Sequence, residues 1–548
     1  MSFPDIFETL LKQRGLTEGN KDDFLNPDYK KLLDPLLLPN MQIARDRVLK
    51  AIEDNEHIVV FSDYDADGIP GAVVMSDFFK RAKYDNVSFY IPHRHDEGFG
   101  LNTEGIDECA KRGAKLIITV DCGVADVKEV EHANKQKIDV IITDHHEPGK
   151  KLPKAFAIVN PKLKESKYPF KEICGAAVAY KLVQAIVQKN TFGTKEGMEK
   201  WSLDMVGIAT LSDMVPLVGE NRILSKFGLD VLRKSQRPGL LALFRMLKLD
   251  QMHLTEDDVA FMITPRINAA SRMGVPMDAF TLLSTGNMRE AETMAVHLEK
   301  INNERKTIVA GLVKDAKKHV DAREKIHAVI VVGNPEWRPA LAGLVANSLV
   351  EAYERPAFVW GRDGDGILKG SCRTVDNVNL FELMSLIPDA FIEFGGHAGA
   401  GGFSSTLENI SILEEKLSTA LETLGKVKQK EKKDESVVIE LREVSEDLWK
   451  IISVLAPFGH GNPKPLFRLA NAEIQSAKNF GKTANHLEII FASPQSRSIK
   501  AISFFNTIES TKATLNPASK ISLTAHLEKS YFRNRPEVRL RIVDILSA

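Results

Sequence analysis

Between residues 57 and 159 short apolar runs alternate with amphipathic stretches, and no other feature constrains the fold as strongly. The runs cover 57–62, 87–91, 115–120, 140–143 and 156–159, with helical patterns such as 71–82 and 103–112 between them. Strand-length runs with helical crossovers between them pair in parallel and are covered by helices on both faces. A doubly wound, mainly parallel α/β sheet is expected. Three runs end in acids, at Asp63, Asp121 and Asp144. Open parallel sheets form their ligand sites just beyond the carboxyl ends of strands, so acids at three strand ends are a site-like arrangement.

The chain of 548 residues exceeds one domain. Residues 1–40 carry a polar helical pattern and a Pro-rich connector, and 168–248 read as mostly helical. Residues 285–322 form one long charged helical pattern suited to bridging two lobes. A second α/β block opens on HAVIVVG at 327 and runs to about 425. A Lys/Glu-rich linker covers 426–435, and five β-type segments follow over 465–548, enough for a small OB-like barrel.

Composition excludes some classes. The net charge of -1 offers no general basic excess, so any nucleic-acid contact rests on local patches. Cys109, Cys122, Cys174 and Cys372 form no CxxC pair, against zinc ribbons and disulfide frameworks. The polar, acidic residues 1–15 do not read as a secretory signal, and no run reaches the roughly 20 apolar residues of a membrane helix. A cytoplasmic chain without membrane contact is expected.

Four clusters carry chemistry. In DYDADG (63–68), Asp63, Asp65 and Asp67 share a face if the backbone is extended, and a divalent cation would relieve their repulsion. Alone the run reads more readily as an acidic turn; a competing calcium loop of the EF-hand kind would need a closing Glu where Met75 and Ser76 stand. Asp121 follows the run 115–120, and Asp144, His145 and His146 follow 140–143. Asp213, in SDMVPL, is by itself a turn or cap residue. Six aspartates and two imidazoles suit Mn²⁺ or Mg²⁺ better than zinc or copper. Elsewhere, Gly395 and Gly396 flank His397 in a nearly side-chain-free run where backbone N–H groups can approach a phosphate, and Ser371 and Arg373 suit a terminal phosphate. The C-terminal Phe480, His486, Phe504, Phe505, Tyr531 and Phe532 alternate with Lys478, Lys482, Arg533, Arg535 and Arg539. Most of these aromatics are expected in the barrel core, with Tyr531 to Arg535 as the best exposed candidate for base stacking.

DYDADG (63–68), TVDCG (119–123), TDHHEPG (143–149) and SDMVPLVGENR (212–222) resemble, in order, the four motifs of the DHH phosphoesterase superfamily. RINAASRMG (266–274), NPEWRPALAGLVANSL (334–349), GSCRT (370–374), FGGHAGAGGFS (394–404) and LAPFGHGNPKPLF (455–467) are similar to those of its RecJ-like branch. The resemblance implies an N-terminal segment (1–45), a DHH domain (46–284), a connecting helix (285–325), a DHH-associated α/β domain (326–425), a linker (426–454) and an OB-like domain (455–548). It implies two Mn²⁺ or Mg²⁺ ions held by Asp65, Asp67, Asp121, His145 and Asp213, with Asp121 or Asp67 bridging and Asp63 as a further ligand. Asp144 belongs to the same cluster, His146 bonds the scissile phosphate or leaving group, and His397 sits over the metals or on a phosphate. Arg94, Arg266 and Arg272 match family arginines that track the backbone. Two positions depart from the family pattern: Phe61 where some members carry a metal-binding His, and Arg338 after Trp337 where a His is common. The implied activity is 5′→3′ digestion of single-stranded DNA to 5′-mononucleotides, in recombination and repair, by a monomer. A single-strand-binding protein or a RecQ-type helicase enters as a partner by analogy. A phosphodiesterase for short oligonucleotides or cyclic dinucleotides, and a non-catalytic replication scaffold, are the rival readings.

Overall fold

The computed structural model describes all residues except 1–2, 95, 363–366, 376–377, 397, 425–435, 482, 493–497, 512, 532–534 and 547–548. The first sheet joins β1 (Ile58–Ser62), β2 (Val87–Tyr90), β3 (Leu116–Val120), β4 (Asp139–Thr143) and β5 (Ala157–Val159), all parallel, in the order β2-β1-β3-β4-β5. Successive side chains of β1 enter opposite layers: Ile58 and Val60 join one apolar core, Val59 and Phe61 the other. The chain moves from β1 outward to β2 and then returns to the other flank of β1 at β3. The strand order therefore reverses between β1 and β3, and Asp63 and Asp121 stand just past their ends.

Helix Met288–Asp321 spans 34 residues and leads into the second sheet. That sheet contains β6 (Ile330–Gly333), β7 (Ala357–Arg362), β8 (Leu368–Arg373), β9 (Glu393–Gly396) and β10 (Ala400–Ser405) in the order β6-β7-β8-β10-β9, with only β6 and β7 parallel. The third unit contains a short β11 (Val437–Val438) beside a five-stranded barrel. The barrel strands are β12 (Phe467–Phe480), β13 (His486–Phe491), β14 (Ile499–Ser503), β15 (Lys520–Ser530) and β16 (Glu537–Leu546), closed by pairing of β12 with β15. The expected fold class is the one observed.

The first residues do not stand alone. Helix Phe3–Gln13 inserts Ile6, Leu10 and Leu11 into the core of the barrel, beside Phe467 and Leu523. Arg222, in the fourth motif, ties this unit to the first: it is buried and donates to the carbonyls of Phe24, Val454, Leu455 and Ala456 at 2.5–3.3 Å. Its guanidinium also lies 3.6 Å from the Phe24 ring centroid. No carboxylate shares this site among those bonds, so removing the fork strands several acceptors together. Arg222→Ala is expected to cost about 3 kcal/mol. Chemical denaturation of the two proteins measures it, and a loss under about 0.5 kcal/mol, the size of an ordinary surface change, contradicts it.

Candidate metal centre

The acids and imidazoles of four separate segments meet at the reversal point of the first sheet. Three groups of ligand atoms each lie within 4.8 Å of one another: Asp63, Asp65 and Asp121; Asp67, His145 and Asp213; and Asp121, His145 and His146. His145 Nε2 is 3.1 Å from Asp121 Oδ1 and 3.7 Å from oxygens of Asp67 and Asp213. Asp121 and His145 each belong to two groups. His146, expected beside the cluster as a phosphate-bonding group, stands among the potential ligands.

Local structure explains each position. Asp67 caps the helix Gly68–Arg81 and also accepts the N–H groups of Gly175 and Ala176 at 2.6 and 2.7 Å, the first amides of helix Gly175–Lys189. A helix N-terminus favours a carboxylate there. Asp65 folds back to accept the Asp67 and Gly68 N–H groups. Asp213 ends helix Leu203–Ser212. Asp121 adopts φ +62°, a left-handed conformation that costs a non-glycine residue roughly 1 kcal/mol or more. Asp144 accepts from the N–H groups of Val124, His145 and His146 and bonds His146 Nδ1 at 2.8 Å. It is therefore an organiser of the histidine pair rather than a member of the three ligand groups.

Electrostatics follow the geometry. Burial, then Asp65, pushes the Asp63 carboxyl well up; burial, then Asp67 and Asp65, does the same to Asp121 and Asp213. Asp67 is pushed up to about 7 by burial and Asp65, against the pull of the two helix amides. At Asp144 burial is outweighed by His146, which holds the carboxyl below its usual range. Burial also opposes the His146 cation, but Asp144 holds it up at about 9. Asp63 Oδ1 and Asp121 Oδ1 are buried without a hydrogen-bond donor. Crowded carboxylates with orphaned oxygens fit hard divalent cations, which supply the missing positive charge.

A group of guanidiniums adjoins the acids through Arg94 and Arg272. Arg272 donates to the Ala340 carbonyl across the two α/β units, and burial, then Arg94, Arg305 and Arg373, pushes its pKa down, with Asp65 opposing. Arg94 lies over the Tyr64 ring at 4.9 Å. Arg305, on the long helix, was not singled out from the sequence; its Nε is buried without a hydrogen-bond partner. Its charge is one of many on a solvated-looking helix, and no local signal separates it from its neighbours. Arg266 differs from expectation: it is buried, bonded to Glu299 at 2.8 Å and to the Met262 carbonyl, so its guanidinium is used inside the fold. Ser371 and Arg373 share β8 beside Gly343, where an added Cβ would come within 3.0 Å of Arg373. Gly395 and Gly396 end β9 at the turn into β10; His397 lies outside the described residues. Phe61, the departure in the first motif, is fully buried and stacks on Tyr90 at 4.9 Å, away from the ligand groups. Arg338 caps the helix Pro339–Tyr353.

Phe504 and Phe505 of the barrel are not core, whereas Phe467 and Phe491 are fully buried in it. Phe505 is 81% exposed, and His486 packs edge-to-face on Phe504 and Phe505 at 5.3 and 5.1 Å, with Arg541 over Phe504. Phe504 and Phe505 follow the end of β14, where alternation no longer directs a side chain inward. Tyr531 instead stacks on His253 of the first unit at 3.9 Å, and 532–534, like Lys482, lie outside the described residues. Lys478 and Arg539 pair with Glu488 and Glu528. Among the described residues no helix is long and apolar enough to cross a membrane.

Comparison with known proteins agrees with this architecture. Family profiles match at 57–210 (DHH family, N-terminal domain), 323–430 (DHHA1 domain) and 436–544 (RecJ OB domain). The single-stranded-DNA-specific exonuclease RecJ of Bacillus subtilis is 34% identical over 98% of this chain and 67% of its own length. The protein of that name from Escherichia coli is 30% identical over 85% of this chain and 83% of its own. The crystal structure of RecJ in complex with Mn²⁺ from Thermus thermophilus superposes with a TM-score of 0.79 at 25% identity, covering 99% of this chain and 76% of that one. Shared motifs, shared order of units and identity along nearly the whole length place the chain in the RecJ family of DHH proteins.

Proposed function

We propose that the protein is a divalent-metal-dependent exonuclease that hydrolyses single-stranded DNA from the 5′ end and releases 5′-mononucleotides. The convergence of Asp63, Asp65, Asp67, Asp121, His145, His146 and Asp213 on one point, with two buried oxygens lacking donors, carries this reading. Relatives named single-stranded-DNA-specific exonuclease support the substrate. Bound there, two Mn²⁺ or Mg²⁺ ions would polarise the phosphodiester and lower the pKa of an attacking water. The chain's own groups do the rest. His146, oriented by Asp144, bonds the departing oxygen. Arg94, Arg272, Arg305 and Arg373 neutralise phosphates opposite the acids, with Arg373 and Ser371 taking the terminal one. The aromatic group around Phe504 and Phe505 stacks on bases of the incoming strand and Arg541 meets its backbone.

The test is digestion of 5′-labelled single strands with Mn²⁺, beside duplex, 3′-labelled strands and dinucleotides. Labelled mononucleotide is expected first from the 5′-labelled strand, with duplex spared. Chelation and Asp65→Ala are each expected to remove the activity. Cleavage confined to dinucleotides would replace this reading with a small-substrate phosphodiesterase, and intact strands under all conditions would end it.

A further inference from the structure

Beside the terminal-phosphate residues, one face of the long helix is left uncovered. Along Met288–Asp321, residues four apart share a face, and one such face runs from Lys306 through Val309 and Val313 to Lys317 and Lys318. The helix Pro339–Tyr353 lies beside it, and between the two runs a groove of about 1310 Å³. Six cations and two acids line it. Both acids are engaged: Glu351 accepts from Asn347 at 2.7 Å and Asp321 from Tyr353 at 2.7 Å. In a chain of net charge -1 this is a concentrated positive site.

The groove begins at the terminal-phosphate residues and leads away from them. Arg305 and Arg373 line one end. Both lie close enough to Arg272 to push its pKa down, where Asp65 pulls the other way, so this end adjoins the acids. Gly343 permits the junction, since a Cβ there would stand 3.0 Å from Arg373 Nη2. Lys318, near the other end, lies about 20 Å further along the helix axis. Between the ends the lining includes Val309, Val313 and Leu344.

Resting on the function proposed above, we infer that this groove is the departure route of the released nucleoside 5′-monophosphate and binds it in transit. Each cycle leaves a mononucleotide whose phosphate is still held at Arg373 and Ser371. The shortened strand carries a new 5′ phosphate that needs the same place, so the product has to leave by a side that the strand does not fill. A nucleoside monophosphate joins an anion to a flat, largely apolar base. The groove offers both halves of that chemistry, lysines for the phosphate and Val309, Val313 and Leu344 for the base and sugar. The volume is ample for one nucleotide, since pockets for molecules of that size occupy roughly 300–1,000 Å³. Lysine suits a route better than an anchor, because its single ammonium meets a phosphate without the bidentate fork of Arg373. None of these contacts depends on which base is carried.

The experiment compares four proteins under Mn²⁺: the parent, the triple variant Lys314→Gln/Lys317→Gln/Lys318→Gln, the groove-filling Ala310→Trp, and a control triple, Lys111→Gln/Lys128→Gln/Lys135→Gln, at exposed positions of the first unit. Digestion is followed over many turnovers on long single strands, and over one turnover as quenched cleavage of a labelled 5′-terminal nucleotide with protein in excess. The groove triple and Ala310→Trp are expected to lower the multiple-turnover rate about fivefold and to leave the single-turnover rate unchanged, because only repeated cycles need the product to leave. The control triple is expected to match the parent in both regimes. Photocrosslinking of 8-azido-2′-deoxyadenosine 5′-monophosphate is expected to label the segment 306–318 in the parent and not in Ala310→Trp. An equal fall in both regimes would make the lysines contacts of the incoming strand and overturn the assignment. Unchanged turnover in both groove variants, a matching fall in the control triple, or crosslinks confined to other segments would overturn it as well. A parent that digests no strand removes the function reading and this inference together; a digesting parent with indifferent groove variants removes the inference alone.

Discussion

Asp121→Asn is expected to reduce strand digestion by on the order of a thousandfold or more while raising the melting temperature of the metal-free protein. The two effects have one cause. Asp121 belongs to two of the three ligand groups, and its Oδ1 is buried without a donor. Burial first, then Asp67, Asp65, Asp63 and Asp213, opposes its charge. Asparagine keeps the shape, deletes the charge and supplies N–H donors to neighbouring carboxylates, so the empty cluster relaxes. The same change removes a metal ligand shared between groups, so Mn²⁺ should no longer raise the melting temperature. Scanning fluorimetry with and without Mn²⁺, beside the digestion assay, checks both halves. An active variant with an undiminished metal response would remove Asp121 from the centre.

The sign of the pH dependence follows. Carboxyls pushed up in the folded state, as at Asp63, Asp67, Asp121, Asp126 and Asp213, favour folding below their unfolded value near 3.9. That contribution is lost as pH rises through the folded values, about 7 for Asp67 and Asp126. His526 acts oppositely, since burial holds it neutral and folding is penalised as pH falls through its unfolded value near 6.5. With several carboxyls against one imidazole, the chelated protein is expected to melt lower at pH 8 than at pH 5. Saturating Mn²⁺ should reverse that trend, and Asp121→Asn should flatten it.

Gly175→Ala is the second large effect, an expected loss of roughly a hundredfold in activity with the fold retained. A Cβ on Gly175 would fall 2.5 Å from both the Cβ and Oδ1 of Asp121. Since Gly175 N–H also holds Asp67, the helix start cannot retreat without moving a second acid. Either response displaces a carboxylate by a fraction of an ångström to an ångström, enough to spoil metal geometry. Gly311 is the control: it lies inside the helix Met288–Asp321 with open space around its Cβ position. There alanine should stabilise the protein by about 1 kcal/mol and leave digestion unchanged. Equal activity of Gly175→Ala and Gly311→Ala would show that the helix start does not govern the acids.

Much of the architecture was legible from residue order. The runs before Asp63, Asp121 and Asp144 form β1, β3 and β4, because strand pairing and crossover helices are encoded in patterns a few residues long. Acids at those strand ends had to share one edge of a parallel sheet, so their approach to one another followed from topology before any distance was known. Asp213 was weaker by pattern alone, since a helix end does not announce which way it faces.

Other features had no short-range signature. The barrel takes in Ile6, Leu10 and Leu11 from the other end of the chain, an apolar stripe that fits any complementary core. Arg266 and Arg305 look alike as charges in a helical pattern; one is buried on Glu299, while the other helps depress Arg272 beside Arg94 and Arg373. Phe505 reads as a core residue by type and stands in water by position. Periodicity records which face of an element is apolar, and so it determined the strands, the helices and the strand-end acids. Burial and electrostatic surroundings are sums over neighbours hundreds of residues away in sequence, and only the assembled tertiary structure decided which arginines meet the acids and which aromatic rings stay exposed.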